Sequence, residues 1–324
     1  MDAHTSPIDV IIGAGPVGSA LASRLTSDGR SVRVVTRSGT GPTVAGIERV
    51  ALDATDAAAL AAVSRGASVI YNCANPGSYM QWREQWPPLA AAILEAARRS
   101  GAVLVTMSNL YGYGPVTQPI TRDTPLKPSD HKGELRAGMW LDALAAHEAG
   151  EARVTEARAS DYIGPTLGSA GLISLFAGST LVGKPAYVFS SPDVPHTWTA
   201  VEDVAHTLAV LGRTEAAWGS AWLVPSNAPR TVREALTDLN AAVGLGAPAL
   251  RRVPRWVMRA GGAVVPLLRE VNGVLYQFDE PFIADGHETT EAFGLQPTPW
   301  PEIVAATATA WLERARAGRS RRET

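Results

Sequence analysis

The chain alternates between short apolar runs and segments whose apolar residues recur every three or four positions. Runs rich in Val, Ile and Leu are typical of parallel strands that are buried on both faces. The pattern predicts strands at residues 10–12, 32–35, 67–74, 103–107, 153–159 and 221–225, and a shorter strand with a polar end at 52–56.

The segments with helical spacing lie between these strands, and polar caps or glycines bound them. Thr55 or Asp56 can cap the alanine-rich segment that follows, and Gly101 and Gly150 end two others. The pattern predicts helices at residues 19–25, 57–64, 87–99, 135–149 and 201–211. This alternation favours the α/β class with a doubly wound parallel (Rossmann) sheet.

The alternation weakens after Gly164, where glycines, prolines and aromatic residues become frequent. We therefore expect a smaller C-terminal substrate lid built from separate segments. Ligands of open α/β sheets bind beyond the carboxyl ends of the strands, so the cleft between sheet and lid is the expected site. The predicted Rossmann core contains residues 8–163, and residues 199–225 return to it. The predicted lid contains residues 164–198 and 226–312, and residues 313–324 are predicted to be a disordered tail.

The composition narrows the class of protein. A length of 324 residues fits about two domains, and a net charge of −2 argues against nucleic-acid and membrane partners. The single cysteine, Cys73, excludes an intramolecular disulfide. Residues 1–7 are too short for a secretory signal, and the apolar stretch 261–268 is too short to span a bilayer. We expect a cytoplasmic protein whose partners are a small-molecule substrate and, as an open alternative, a second copy in a homodimer.

The most informative motif joins the first strand to the first helix. It is a Gly-x-Gly-x-x-Gly sequence inside a strand–helix–strand unit, which predicts dinucleotide binding. Gly13 permits the tight turn, Gly15 lets the backbone approach the pyrophosphate, and Gly18 lets the helix pack against the strand. The first helical turn, which includes Pro16 and Val17, offers N–H groups and a positive dipole end to the phosphates.

The end of the second strand indicates which dinucleotide is bound. NAD-binding proteins usually place Asp or Glu there to hold the ribose 2′-hydroxyl, whereas this chain has Thr36 followed by Arg37. A planar guanidinium matches a 2′-phosphate in charge and geometry. The sequence therefore predicts NADP, with NAD as the less favoured cofactor, and an ordinary solvated charge is the alternative interpretation of Arg37.

Further motifs accompany the glycine motif at Asp53 and at residues 72–74, 108–112, 158–165 and 196–205. Together they resemble the extended branch of the short-chain dehydrogenase/reductase superfamily, the NAD-dependent epimerase/dehydratase-like proteins. The resemblance implies a Rossmann fold in which Asp53 contacts the adenine and Asn72 and Ala74 lie along the cofactor.

The chain departs from that superfamily at its catalytic group, Ser with Tyr-x-x-x-Lys. No Tyr-x-x-x-Lys follows where it is expected; by spacing, Lys132 takes the tyrosine position, Arg136 the lysine position, and Ser108 lies beside the serine position. The atypical isoflavone-reductase-like members have a similar Lys-x-x-x-Arg pattern. That resemblance implies that Lys132 exchanges the proton and that Arg136 holds ribose or phosphate. A solvated charge at a helix start is the alternative for Lys132.

Aromatic side chains gather around the predicted site. Tyr111 is an alternative phenolic acid, and Tyr79, Trp82 and Tyr113 suggest a flat or apolar substrate face. His131 is the best-placed histidine. Packing is the alternative for these aromatic residues, and no spacing of His, Cys and carboxylates suggests a metal.

Three functions stay open at this point. The first is an NADP(H)-dependent oxidoreductase acting on a small apolar or aromatic substrate, of the kind found in secondary metabolism, with a nonstandard acid–base group. The second is a non-redox cyclase or isomerase on the same scaffold with a structural cofactor. The third is a dinucleotide-sensing regulator without catalysis. The fold alone does not choose among them.

Overall fold

The computed structural model describes residues 8–168 and 171–320. The strands are β1 (Ile8–Ile12), β2 (Ser31–Thr36), β3 (Ile47–Ala51), β4 (Ala67–Asn72), β5 (Val103–Ser108), β6 (Arg153–Arg158), β7 (Asp161–Ile163), β8 (Ala186–Val188), β9 (Trp198–Ala200), β10 (Ala221–Leu223) and β11 (Leu250–Arg252).

The helices fill the intervals between these strands and most of the C-terminal third. They are α1 (Pro16–Ser27), α2 (Ala57–Val63), α3 (Trp82–Ser100), α4 (His131–Glu148), α5 (Leu172–Thr180), α6 (Val201–Leu211), α7 (Val232–Ala241), α8 (Arg255–Val264), α9 (Pro266–Val274), α10 (Tyr276–Asp279), α11 (His287–Phe293) and α12 (Trp300–Ser320). Within the described ranges, no helix combines the length and apolarity that a membrane crossing needs.

The chain divides into two compact units. The first contains Met1–Gly114, Pro125–Ala159 and Val204–Val224, and the second contains Pro115–Thr124, Ser160–Asp203 and Pro225–Thr324.

The first unit is built on a seven-stranded sheet in the order β10-β6-β5-β4-β1-β2-β3. Every pair of neighbours in it is parallel, which confirms the predicted doubly wound sheet. From β1 the chain first builds outward to β2 and β3 and then returns to the other side of β1 to add β4. The strand order therefore reverses at β1, and ligands of such sheets bind beyond the carboxyl ends of the strands at this reversal.

The short strand expected at residues 52–56 is wrong, because the third strand is β3, five residues earlier. β3 lies at the sheet edge and is mostly exposed, so it lacks the apolar run that marks the central strands. The polar residues after it form turns instead. The Asp53 carboxylate accepts hydrogen bonds from the Thr55 backbone and hydroxyl, and Asp56 caps α2.

Three helices begin earlier than their spacing predicts, and α1 does so by three residues, at Pro16. α3 starts at Trp82 and keeps Pro87 and Pro88 inside it, where a helix loses a backbone hydrogen bond. Trp82 and Trp86, one turn apart, are both buried and pack edge to face at 6.0 Å, which stabilises the turn ahead of the prolines. α4 starts at His131 rather than at residue 135, because Asp130 caps it.

The second unit has its own core and two small parallel sheets, β11-β8 and β7-β9. α12 continues through Ser320, whereas the sequence predicted a disordered tail from residue 313. Residues 321–324 lie outside the described ranges. Large buried side chains of this core include Ile163, Phe176, Trp198, Leu236 and Trp300.

A fully buried carboxylate anchors the start of β1. Asp9 accepts two hydrogen bonds of 2.8 Å from the guanidinium of Arg30, and Arg213 approaches it at 3.6 Å. The hydrogen bond and charge of Asp9 raise the pKa of Arg30 against the opposing effect of burial. The pair ties β1 to the loop before β2, directly upstream of the glycine motif.

Replacing Asp9 with Ala is expected to lower the free energy of unfolding by on the order of 3–5 kcal/mol, because the Arg30 charge keeps its partial burial and loses its partner. The matched control is Glu95→Ala, which breaks the i,i+4 pair with Arg99 on the surface of α3 and should cost less than about 1 kcal/mol. Urea unfolding with an unchanged slope measures both values. Equal losses in the two variants would contradict this account of Asp9.

Candidate functional site

The glycine motif forms a tight turn between β1 and α1. Gly13 has a φ of +98°, a conformation that L side chains rarely adopt, and a Cβ on it would lie 2.8 Å from the Cys73 carbonyl oxygen. A Cβ on Gly18 would lie 2.1 Å from the Gly13 carbonyl oxygen. These two glycines therefore allow the close approach of helix and strand that the motif predicts.

Gly15 differs from the other two glycines, because a Cβ built on it meets no atom within 4 Å and its φ is an ordinary −68°. The fold itself does not require glycine there. Gly15 is also the N-cap of α1 and supplies no side chain to it, while Pro16 fixes the first turn. The first-turn N–H groups and the open space above Gly15 make a site suited to an anion such as a pyrophosphate.

The neighbouring strand ends place two opposite charges near each other. Arg37 follows β2 and is exposed, and Asp53 follows β3. Hydrogen bonds from Thr55 hold the pKa of Asp53 below its usual range, and the Arg37 charge lowers it further. Asn72 ends β4, where its side-chain oxygen accepts a hydrogen bond of 3.3 Å from the backbone N–H of Ala74. The predicted cofactor residues thus lie at the carboxyl ends of adjacent strands.

Lys132 is buried at the N-terminus of α4, with 1% of its surface exposed. Its Nζ lies 2.7 Å from the Oδ2 atom of Asp130, whose Oδ1 atom accepts a hydrogen bond from the backbone N–H of Gly133 and caps the helix. One carboxylate therefore both starts the helix and neutralises the lysine. A solvated lysine, the alternative interpretation of the sequence, does not fit this burial.

Two tyrosines accompany the lysine. The hydroxyls of Tyr79 and Tyr111 are 2.8 Å apart and hydrogen-bonded, and the Nζ of Lys132 lies 5.6 Å from the ring centre of Tyr79. Trp82 packs edge-on against Tyr79 at 5.0 Å. Three of the predicted residues, Lys132, Tyr79 and Tyr111, thus form one cluster that combines an ammonium with paired phenols.

Arg136, one turn after Lys132, is also buried. Its guanidinium lies 4.2 Å from the ring centre of Trp86 and 5.1 Å from that of Trp82, and it donates a 3.3 Å hydrogen bond to the side chain of Asn75. Contacts of this kind hold a cation in a fixed position on aromatic faces. They place Arg136 among the tryptophans of α3, and its predicted contact with ribose or phosphate stays a prediction.

Tyr113 and Ser108 belong to a second buried polar cluster. The Tyr113 hydroxyl accepts a 2.7 Å hydrogen bond from Arg158, which pairs with Glu156 at 2.7 Å. Burial raises the pKa of Glu156, although Arg158 and a hydrogen bond from Ser108 act against the increase. This arrangement favours the packing interpretation of Tyr113 and gives Ser108 a partner in the core.

A cavity of about 1250 Å³ lies within the first unit, along α3 and α4. It reaches the end of β4 at Asn72 and the middle of β6 at Glu156, and His131 lies on its wall. Lys132 and Tyr111 do not line it. The structure therefore separates His131 from the cluster around its neighbour Lys132.

The sequence analysis missed Asp130, the counter-charge of Lys132. The signal was present, since Asp is a preferred N-cap and stands two positions before the lysine. The helical spacing predicts a start at residue 135, four residues after the true start at His131, and this leaves Asp130 too far from the predicted helix to be read as its cap. Across the described ranges, no group of three or more His, Cys, Asp and Glu side chains is arranged to hold a metal ion.

Solved structures with the same fold cover nearly the whole chain. UDP-glucose 4-epimerase from Thermotoga maritima, solved with UDP-glucose, is 16% identical with a TM-score of 0.78 over 95% of this chain and 99% of that one. The dTDP-glucose 4,6-dehydratase from Streptomyces venezuelae, solved with NAD and TYD, is 20% identical with a TM-score of 0.76 over 94% and 97%. UDP-glucose 4-epimerase from Thermus thermophilus, solved with NAD, is 19% identical with a TM-score of 0.75 over 94% and 98%.

The sequence comparisons agree with the fold. No curated protein sequence matches the chain. The model of the family described as "NAD dependent epimerase/dehydratase family" matches residues 10–220, well over half of the chain. The resemblance drawn from the sequence is confirmed: this chain belongs to the NAD dependent epimerase/dehydratase family and is an NAD(P)-dependent enzyme of that type.

Proposed function

We propose that the protein is a cytoplasmic, NADP(H)-dependent oxidoreductase in which Lys132 is the general acid–base group. The observation that carries the proposal is the buried Lys132 ammonium, which lies 2.7 Å from Asp130 and beside the hydrogen-bonded Tyr79–Tyr111 pair. A lysine is not buried in this way unless a carboxylate compensates its charge. The family's catalytic tyrosine and lysine are absent from this chain, and Lys132 takes the tyrosine position by spacing. The cluster around Lys132 is therefore the best candidate for the missing acid–base group.

The glycine turn supports the cofactor in this proposal, and Arg37 supports its identity. The turn leaves space above Gly15 and N–H groups at the start of α1 for a pyrophosphate. Arg37 is exposed at the neighbouring strand end, where it can meet a 2′-phosphate. The Thermus epimerase and the Streptomyces dehydratase bind NAD, so NAD is the competing cofactor.

The dinucleotide, when bound, supplies or accepts a hydride. In the reducing direction the ammonium of Lys132 gives a proton to the oxygen of a carbonyl substrate as its carbon is reduced, and the reverse transfer accompanies oxidation. Asp130 holds the ammonium in position through their ion pair. Tyr111, whose hydroxyl is bonded to Tyr79, is the second group of the cluster that can exchange a proton.

Aromatic rings dominate the surroundings of this cluster, which supports a small apolar or aromatic substrate. Tyr79, Trp82 and Tyr111 pack within 5.0–6.4 Å of one another. Tyr79 and Tyr111 are half-buried and can offer ring surface to a substrate, whereas Trp82 is buried and packs against both of them. The solved relatives are named for nucleotide sugars, so UDP-glucose and dTDP-glucose are the comparison ligands.

The cofactor preference can be tested at Arg37. We expect NADPH to bind more tightly than NADH, and Arg37→Ala to lose on the order of 1.5–3 kcal/mol of NADPH binding while NADH binding changes little. Calorimetry on both proteins measures this difference. Arg49→Ala, which removes an arginine from β3, is the control and should keep the preference. Equal affinities of the wild type for the two dinucleotides would overturn the preference for NADP.

The role of Lys132 can be tested with a panel of apolar and aromatic carbonyl compounds. Lys132→Met should lower the rate of NADPH-dependent reduction by a factor of about 10²–10⁴ and leave the dinucleotide affinity nearly unchanged. The matched control, Lys127→Met, removes an exposed lysine from the preceding loop and should keep full activity.

NADPH labelled with deuterium at C4 distinguishes this role from the non-redox alternative. Label in the product supports hydride transfer. Turnover that leaves the label in the dinucleotide and is unaffected by Lys132→Met would instead support a cyclase or isomerase with a structural cofactor.

A further inference from the structure

The hairpin formed by α8 and α9 turns apolar side chains outward. Trp256 and Val264 in α8 are 72% and 82% exposed, and Leu267 in α9 is 53% exposed. The buried positions of α8 are Met258 and Gly262. A surface helix normally packs its largest apolar residues inward and leaves its polar residues in water. Here the exposed face holds the larger apolar surface.

The outward residues of α8 share one face. Trp256, Ala260 and Val264 are spaced four apart, so they span an arc of roughly 80° on the helix. Arg255 and Arg259, also four residues apart, border this arc on one side. α8 therefore presents an apolar stripe with an arginine edge.

Hydrogen bonds on the inner side fix the hairpin in this orientation. The side chain of Asn272 donates to the Met258 carbonyl at 2.8 Å, and Arg269 donates to the Gly262 carbonyl at 3.2 Å. A Cβ on Gly262 would lie 2.6 Å from the Asn272 amide nitrogen, so the two helices approach closely. Polar contacts thus contribute to the inner side of the hairpin, and the apolar stripe stays exposed.

The charge of the hairpin and of the strand before it indicates the kind of partner. Residues 250–275, which cover β11 and the hairpin, contain five arginines and one acidic residue, Glu270, although the whole chain has a net charge of −2. Arg255 pairs with Asp279, and Arg269 donates to backbone carbonyls. In the described ranges, Arg251, Arg252 and Arg259 are exposed and have no acidic partner. A positive, apolar surface with an outward Trp is typical of helices that lie in the interface of an anionic bilayer.

We propose that the α8–α9 hairpin docks the protein on the surface of an anionic lipid bilayer. Trp256, Val264 and Leu267 would enter the boundary between headgroups and acyl chains, and the arginines would meet the lipid phosphates. A second copy of the chain is the competing occupant, and the experiment below separates it from a bilayer. Docking of this kind differs from the expectation of no membrane partner. That expectation rested on the net charge of −2, which sums over the whole chain and does not report a local positive patch.

Vesicle flotation tests this proposal directly with the full chain. We expect binding to phosphatidylcholine vesicles that contain about one third phosphatidylglycerol, and little binding to phosphatidylcholine alone. Trp256→Ser with Val264→Ser should weaken binding at least about tenfold. Arg251→Gln, Arg252→Gln and Arg259→Gln together should weaken it roughly 30-fold, because consecutive strand residues point to opposite faces and only one of Arg251 and Arg252 can meet the bilayer with Arg259. Added salt should mimic this effect.

The matched control is Val44→Ser with Leu175→Ser, which removes two other exposed apolar residues and should bind as wild type does. Circular dichroism checks that each variant is folded. No binding of the wild type to the anionic vesicles, or equal loss of binding in the control, would overturn the proposal. A concentration-dependent doubling of mass that Trp256→Ser and Val264→Ser abolish, without vesicle binding, would overturn it in favour of a contact between copies.

Discussion

The close approach of α1 to β1 is the constraint on which the candidate site depends. At Gly18 the helix backbone comes so near the turn that a Cβ would lie 2.1 Å from the Gly13 carbonyl oxygen. The turn is tied to both neighbouring strands, since Gly13 donates to the Val35 carbonyl and Cys73 donates to the Ile12 carbonyl, each at 2.9 Å. The start of α1 is therefore fixed at the point where the strand order reverses, with Gly15 facing open space.

A second constraint acts at the start of α4. Burial of a lysine ammonium is costly unless a counter-charge lies beside it, and Asp130 supplies that charge while it caps the helix. The cap orders the first turn of α4, and the ordered turn holds Lys132 near Tyr79 and Tyr111. The backbone capping interaction and the proposed chemistry thus depend on the same carboxylate.

Much of this arrangement follows from the sequence, because it depends on local patterns. The strands β1, β2, β4 and β5 contain apolar runs, and the glycine motif between a strand and a helix predicts the turn that joins them. The edge strand β3 was missed because an exposed strand carries little apolar signal. The beginnings of α3 and α4 were missed because they depend on tertiary packing of Trp82 and Trp86 and on the cap at Asp130.

The outward stripe of α8 could not be predicted from the pattern, since periodicity indicates that a helix has an apolar face and does not say which way the face points. The direction of the Tyr113 side chain could not be predicted either. Its position after β5 suggested the substrate face of the site, while its hydroxyl accepts a hydrogen bond from Arg158 in the core. Sequence spacing predicted that Lys132 takes the family's tyrosine position. Its burial and its ion pair with Asp130 became visible only in the structure.

Dinucleotide affinity of Gly15→Val is the measurement that tests the central claim most directly. A Cβ at this position meets no protein atom within 4 Å, so the variant should fold and unfold as wild type does. Its side chain would occupy the space above the turn, so the variant should lose detectable binding of NADPH in calorimetry. Gly246→Val, at another glycine with open space and no left-handed backbone, is the control and should bind normally. If Gly15→Val binds the dinucleotide as well as wild type does, the glycine motif is only a turn and the account of this site is wrong.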